Sequence, residues 1–181
     1  MKLRKNAAVI VAVLCMSAAA WAGDVALTPI GQSPDGMMVR VVLRSLKVAT
    51  DYEPLMKPES LKDQKVLVAV VGASSKGMGA AGINQEDELA RAKALCEAAA
   101  GKGMKILVMH VGGEGRRGGS SNAFIEAASA YADDFIVVDG GNTDGLFDRL
   151  AAARKAEILT APNVKGTKEP LKTLLAKWGI L

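Results

Sequence analysis

Val66-Leu-Val-Ala-Val-Val71 is an unbroken run of six apolar residues that lies between Lys65 and Gly72. A strand with one solvent-facing side would alternate apolar and polar residues, so this run predicts a strand that is buried on both faces. Such strands occur in parallel sheets that are covered by helices on both sides. The run therefore predicts the α/β class with a parallel sheet.

Apolar strands and amphipathic helices alternate from this run to the C-terminus. A helix is predicted from about Gln85 to Ala100, with Asn84 as its N-cap. Further strands and helices are predicted in alternation at 106–109, 122–132, 135–138, 146–155, 158–159 and 169–177. With right-handed crossovers, the pattern predicts an α/β three-layer sandwich with a mainly parallel sheet, flavodoxin-like or Rossmann-like.

The segment before the first clear strand, residues 23–64, is irregular by comparison. Within it, Met37–Val48 alternates well enough to predict a strand, whereas Pro54 and Pro58 exclude a long helix after it. We expect one or two strands here, as an extra N-terminal strand segment. The pattern leaves two alternatives, an edge strand or a segment that wraps the sheet.

Residues 1–22 have the composition of a secretory signal peptide. Three cations lie within residues 2–5, Ala7–Met16 is apolar, and Ala20-Trp-Ala22 is a small-x-small cleavage site. We therefore expect signal cleavage and a single α/β domain over 23–181, exported to the periplasm or secreted. The apolar run is too short to be retained as a membrane anchor.

Export changes the charge and cysteine content that matter. The signal carries three of the 23 basic residues and none of the 19 acidic ones, which leaves 20 against 19. A nearly neutral chain without a polybasic run gives no support for nucleic acid as a partner. Because Cys15 leaves with the signal, Cys96 has no partner for an internal disulfide and is predicted to be a buried small hydrophobe.

The predicted functional surface is the carboxyl end of the sheet, where open α/β sheets bind ligands at the switch in strand order. Four loops meet there: 72–82, 110–121, 139–145 and 161–166. The first two have 11 and 12 residues, longer than most βα loops, and are rich in glycine. The candidate ligand-binding residues are Ser74, Ser75, Lys76, Gly77, His110, Gly113, Glu114, Arg116, Arg117 and Asp139.

The first long loop contains Gly77-x-Gly79-x-x-Gly82, the spacing of a dinucleotide-binding turn. It begins about five residues after the strand and lacks the acidic partner of that motif, and no Gly-Lys-Ser/Thr follows for a P-loop. Ser74 lies outside the spacing of a nucleophile elbow, and no Asp-then-His order follows it. Two interpretations remain, a flexible loop with a solvated Lys76 or an anion cradle of backbone N–H groups.

The second long loop is the most informative segment. His110 closes a strand, and Glu114, Arg116 and Arg117 follow within seven residues. Either arginine is able to grip a carboxylate, phosphate or sulfate bidentately, while a lone histidine at a strand end is more often a structural hydrogen bonder. These residues and Lys76 favour a non-enzymatic domain that binds a small anionic ligand.

Three stretches of these loops resemble a known family. Ser74–Ile83, His110–Gly118 and Asp144–Phe147 are similar to a family of small exported bacterial proteins classed only as a domain of unknown function. The resemblance covers roughly residues 36–181. It implies a secreted α/β domain and singles out these loops, but it implies no mechanism.

Two alternative functions stay open. The first is a hydrolase with His110 as base and Glu114 or Asp139 as its partner, with or without a metal ion held by the three side chains. Its catalytic candidates are His110 and Glu114. The second is a protein-interaction module, which an exposed apolar patch rather than a polar cleft would indicate. The sequence identifies no cofactor.

Overall fold

The computed structural model describes residues 23–181, and the predicted signal peptide lies outside the described residues. The described chain contains six strands and six α-helices. In chain order the elements are β1 Val25–Ile30, α1 Asp35–Ser45, β2 Thr50–Tyr52, β3 Val66–Val71, α2 Ser75–Ala80, α3 Gln85–Gly101, β4 Lys105–His110, α4 Gly119–Ser129, β5 Asp134–Val138, α5 Leu146–Arg154, β6 Glu157–Ala161 and α6 Lys168–Lys177. The strands and helices alternate except at β2–β3 and α2–α3.

The six strands form one parallel sheet in the order β2-β1-β3-β4-β5-β6. This is the flavodoxin-like strand order, extended by β6 at one edge. The predicted fold class is confirmed. The order reverses between β1 and β3, so the switch point lies at the carboxyl ends of these two strands.

Helices cover both faces of the sheet. On one face α3, α4 and α5 share an apolar core with Leu67, Ala69 and Val71 of β3, and on the other face α1 and α6 share one with Val66 and Val68. All six residues of β3 are fully buried. Burial on both sides is the physical reason for the unbroken apolar run, because neither side of the strand meets water.

β1 is an interior strand although it contains Pro29. Leu27, two residues earlier, bonds towards β2, since its carbonyl accepts from the N–H of Glu53. Pro29 also faces the β2 side of the strand. Because β2 ends at Tyr52, no residue of β2 lies opposite Pro29, and the missing N–H of the proline costs the sheet no hydrogen bond. The Pro29 carbonyl accepts a hydrogen bond from Arg91 Nη2 at 2.7 Å.

The strand predicted at Met37–Val48 is wrong, because α1 occupies most of this stretch. Val39, Val42 and Leu43 are buried, and their i, i+3, i+4 spacing is that of one helix face. Three β-branched valines favour a strand by propensity, but packing against the sheet overrides propensity. The segment 23–64 is accordingly more regular than expected, since it contains β1, α1 and β2.

The elements predicted after Lys65 agree with the structure to within a few residues. Asn84 caps α3 as predicted, because its Oδ1 accepts from the N–H of Asp87 at 2.9 Å. The first long loop differs from the prediction, since α2 forms within it. Among residues 23–181, no helix is long and apolar enough to cross a membrane.

Candidate functional site

Three loops meet beside the switch point, at the carboxyl ends of β1, β3 and β4. Backbone hydrogen bonds join the first two, because Ser74 N–H donates to the Gly31 carbonyl at 2.8 Å. The loop after β3 is also bonded to the first turn of α4, because the Ala73 N–H donates to Ser121 Oγ at 3.0 Å. We call Ser33, Asp35, Gly72, Gly112 and Arg116 the switch-point cluster.

Asp35 is a buried carboxylate at the centre of the switch-point cluster. It is 2% exposed, and among the described residues its Oδ2 has no hydrogen-bond partner. Its nearest cation is Arg116, whose Nε lies 3.7 Å from Oδ2, an ion pair too long for a hydrogen bond. As the first residue of α1, Asp35 is also stabilised by the positive end of that helix.

Arg116 lies between this carboxylate and the solvent. Its side chain is 32% exposed, and its Nη1 donates to the Ala73 carbonyl at 3.2 Å. A guanidinium has five N–H donors, and the described residues offer it no other acceptor within hydrogen-bond distance. Asp35 and Ala73 thus orient Arg116 and leave donors for a ligand.

Gly112 permits this arrangement by its lack of a side chain. A Cβ at this position would lie 2.0 Å from Cγ of Arg116 and 2.9 Å from Oδ2 of Asp35. Gly72 is less crowded, with 3.5 Å from its Cβ position to Oδ2 of Asp35 and to Oγ of Ser33. A side chain at residue 112 would displace Arg116 from Asp35.

A cleft of about 530 Å³ lies between the loops that follow β1 and β3. It brings together three of the predicted site residues, Ser74, Lys76 and Gly77, while Ser75 is exposed at the start of α2. Ser74 caps α2, since its Oγ accepts from the N–H of Gly77 at 3.0 Å. The other lining residues include Pro29, Gln32, Ser33, Pro34, Tyr52 and Pro54.

Arg117 does not join Arg116. Its guanidinium contacts both carboxylate oxygens of Asp144 at 2.8 and 3.0 Å, donates to the Gly141 carbonyl, and lies over the ring of Phe147. The Nε donates to Asn122 Oδ1 at 3.3 Å. With its side chain only 9% exposed, Arg117 links the loops that follow β4 and β5.

The side chain of His110 is fully buried, and its ring nitrogens contact backbone carbonyls rather than solvent. Its Nδ1 lies 3.2 Å from the Val71 carbonyl oxygen, its Nε2 lies 3.0 Å from that of Gly113, and its ring packs on Phe147. Burial lowers the pKa of His110, although the two carbonyl contacts act in the opposite direction. This is the geometry of a structural hydrogen bonder.

Glu114 and Asp139 are exposed on touching loops. A Cβ at Gly113 would lie 3.1 Å from the Asp139 carbonyl oxygen, so the backbones approach closely there. Within residues 23–181, no three His, Cys, Asp or Glu side chains are grouped to hold a metal ion. Asp139 lines a separate cleft of about 410 Å³ with Asn142, Thr143, Asp148 and Thr160.

Sequence reasoning missed Asp35. The residue belongs to Ser33-Pro-Asp-Gly36, which was assigned to an irregular lead because β1 was not identified. Once Val25–Ile30 is identified as a strand, an acidic residue five positions after its end becomes a candidate by the same rule that selected Arg116.

The fold and the loops define the class, a flavodoxin-like parallel α/β domain with an open cleft beside its switch point. Residues 22–175 match the family described as a domain of unknown function (DUF6305), and the chain belongs to that family. This confirms the resemblance to an uncharacterised family. No curated protein and no solved structure matches the chain.

Proposed function

We propose that the chain binds a small anionic ligand at the carboxyl edge of the sheet, with Lys76 and Arg116 as its charge partners. The proposal is carried by the position of these two cations at the loop after β3: Lys76 lines the cleft, and Arg116 donates to the carbonyl of Ala73, three residues earlier in that loop. Among the described residues Lys76 has no carboxylate within salt-bridge distance. Its ammonium is therefore available to a ligand.

Arg116 is the more specific of the two charge partners. Its Nη1 is held by the Ala73 carbonyl and its Nε faces Asp35, so the guanidinium is oriented before a ligand arrives. Preorganisation of this kind reduces the entropy lost on binding. The remaining N–H groups match a carboxylate, phosphate or sulfate, which accept two parallel hydrogen bonds from an arginine.

The N-terminus of α4 adds positive electrostatic potential at the same edge of the sheet, which favours a bound anion. Ser121, in the first turn of this 11-residue helix, contacts the loop that carries Lys76 through the Ala73 N–H. The positive end of a helix stabilises a nearby anion. Arg117, which the sequence grouped with these cations, is assigned to holding the loops because its donors are already bonded.

The test is a thermal-shift and calorimetric titration of the purified protein with phosphate, sulfate and small carboxylates. A ligand at 100 times its dissociation constant stabilises the native state by about 2.7 kcal/mol. We expect Arg116→Ala and Lys76→Ala each to weaken binding about tenfold, the loss of one charge-assisted contact. Lys93→Ala on the exposed side of α3 is the control.

Unchanged affinity in both site variants would overturn the assignment of Lys76 and Arg116. A panel without any stabilising anion would overturn the proposal as a whole. The hydrolase alternative gains no support from His110, because backbone carbonyls contact both of its ring nitrogens.

We also propose that residues 1–22 direct export and that the protein acts in the periplasm or outside the cell. The support is the basic start, the apolar stretch and the Ala20-Trp-Ala22 site of the sequence. Mass spectrometry of the protein from the periplasm of an expressing bacterium tests this. We expect an N-terminus at Gly23, and an intact chain confined to the cytoplasm would contradict it.

A further inference from the structure

The outer side of α1 forms one wall of a groove of about 490 Å³. Met38, Val41 and Val42 line it from α1, and Val164, Lys165 and Lys168 line it from the first residue of α6 and the turn before it. We call this surface the α1–α6 groove. Val41 is 63% exposed and Met38 40%, and both are among the largest exposed apolar side chains of the described residues.

Two apolar residues of the groove, Met38 and Val41, are additional to the buried face of α1, whereas Val42 belongs to both. Val39 and Leu43 fill the core, whereas Met38, Val41 and Ser45 follow the groove at spacings of three and four residues. A surface helix normally carries polar residues on the side away from the core. Methionine is common on surfaces that accept varied partners, because its side chain adapts to them.

Positive charge borders the α1–α6 groove. Lys165 and Lys168 line one wall, and none of the residues that line the groove is a carboxylate. This asymmetry is local, since residues 23–181 carry 20 basic and 19 acidic residues. Complementary charge favours an acidic partner.

We propose that the α1–α6 groove docks an amphipathic helix of a protein partner whose apolar stripe is bordered by Asp and Glu. A groove between two helices accepts the apolar side chains at positions i, i+3, i+4 and i+7 of a partner helix. A bilayer presents a plane, which does not reach the floor of a cleft. A two-fold dimer through this face would pair two grooves that no carboxylate lines, so Lys165 and Lys168 would find no acidic partner within them.

The probe is a fluorescein-labelled synthetic helix of roughly 18 residues, about five turns, with leucines on one face and glutamates on both borders. A matched peptide carries lysines in place of the glutamates. Fluorescence anisotropy with the full chain measures both affinities. We expect the acidic peptide to bind at least about tenfold more tightly at low salt, and the difference to shrink as salt screens the charges.

Two variants test the groove itself. Val41→Glu places a charge on the apolar stripe, and we expect it to weaken the acidic peptide about tenfold, as for a central interface residue. Lys165→Glu with Lys168→Glu is expected to reverse the preference between the two peptides. Lys93→Glu on α3 is the matched control, and thermal melts check that every variant is folded.

Three results would overturn the proposal. The first is equal affinity for the two peptides, or binding that Val41→Glu leaves unchanged in a folded protein. The second is binding to phosphatidylglycerol vesicles that exceeds peptide binding and is lost in Val41→Glu, which would assign the surface to a membrane. The third is a dimer in analytical ultracentrifugation that Val41→Glu dissociates, which would assign it to self-association.

Discussion

Glu88 of α3 is fully buried and determines the shape of the loop that follows β1. Its Oε1 accepts hydrogen bonds from the N–H of Gly31 at 2.8 Å and from Gln32 Nε2 at 3.0 Å. Arg91 donates to both carboxylate oxygens of Glu88 at 2.7 Å, and its Nη2 also donates to the Pro29 carbonyl. This charge pair therefore fixes the chain that leads to the switch-point cluster.

Glu88→Gln is predicted to lower the free energy of unfolding by about 3 kcal/mol, because it leaves the charge of Arg91 buried without its partner. The Arg91 side chain is only 9% exposed, so water replaces little of the lost interaction. Urea unfolding measures the change. Glu97→Gln, an exposed site on the same helix, is the control, and an equal effect at both sites would contradict the prediction.

His110 is the only histidine of the chain, which makes its protonation measurable as a stability change. Burial lowers its pKa below the unfolded value of 6.5, so below that pH the unfolded state binds more protons. The stabilisation is complete above about pH 6.5 and is lost as pH falls towards the folded pKa, by at most about 1.4 kcal/mol per pH unit.

The comparison of wild type with His110→Gln between about pH 7.5 and pH 5.5 isolates this effect. We expect the variant to be less stable throughout and to lose less stability on acidification. If the stability of the wild type relative to the variant instead rises as pH falls, the Val71 and Gly113 carbonyls stabilise the charged ring by more than burial destabilises it.

Of the residues that form the switch-point cluster and the cleft, the candidates from the sequence include only Arg116, Ser74, Lys76 and Gly77, and the sequence does not show what each of them contacts. Strand ends locate His110, Arg116 and Arg117 by chain position alone. Their roles depend on neighbours that are distant in sequence, such as Asp144 for Arg117 and Asp35 for Arg116. Local spacing contains no information about such partners, so the buried histidine and the bound arginine were grouped with the exposed candidates.

At the scale of elements, prediction succeeded where burial leaves a distinct pattern. Strands β3, β4 and β5 are buried on both faces and appear as continuous apolar runs. β1 is equally buried, but Thr28 and Pro29 interrupt its apolar run. Arg91 donates hydrogen bonds to the Thr28 hydroxyl and to the Pro29 carbonyl, which allows both residues to be buried. The pattern of α1 resembles a strand because the exposed side of this helix is also apolar, at Met38 and Val41.

The glycines of the first long loop have different structural reasons. A Cβ at Gly77 would lie 2.0 Å from the Gln32 carbonyl oxygen, whereas nothing lies within 4 Å of a Cβ at Gly79, in the same helix. Gly82 follows the helix at φ +69°, a backbone conformation that favours glycine. Packing therefore explains Gly77 and a turn explains Gly82, while nothing in the structure requires a glycine at position 79.

Gly77→Ala and Gly79→Ala are predicted to shift stability in opposite directions. The first forces α2 away from β1 at a cost of about 2 kcal/mol, typical of an overpacked site. The second stabilises by roughly 0.5 to 1 kcal/mol, because alanine restricts the unfolded chain and favours the helix. Chemical unfolding of both variants provides the measurement, and equal shifts would refute the close approach of Gln32 to Gly77.

At the scale of the whole molecule, the sheet separates two apolar cores, and Cys96 reports on one of them. The thiol lies in the core beneath α3 and α4 and is fully buried. Burial raises its pKa to about 12, so the reactive thiolate is scarce in the folded protein. Reaction at Cys96 therefore requires that the core open.

Alkylation of Cys96 is predicted to measure the opening of the whole domain. A Cys15→Ser chain has Cys96 as its single thiol, and at about pH 8 its labelling by iodoacetamide is expected to be far slower in buffer than in urea. If the switch-point loops and the core unfold together, Glu88→Gln accelerates labelling about a hundredfold, the equivalent of about 3 kcal/mol. If Glu88→Gln destabilises the protein in urea but leaves the labelling rate unchanged, α3 opens separately from β1, and the domain is not one cooperative unit.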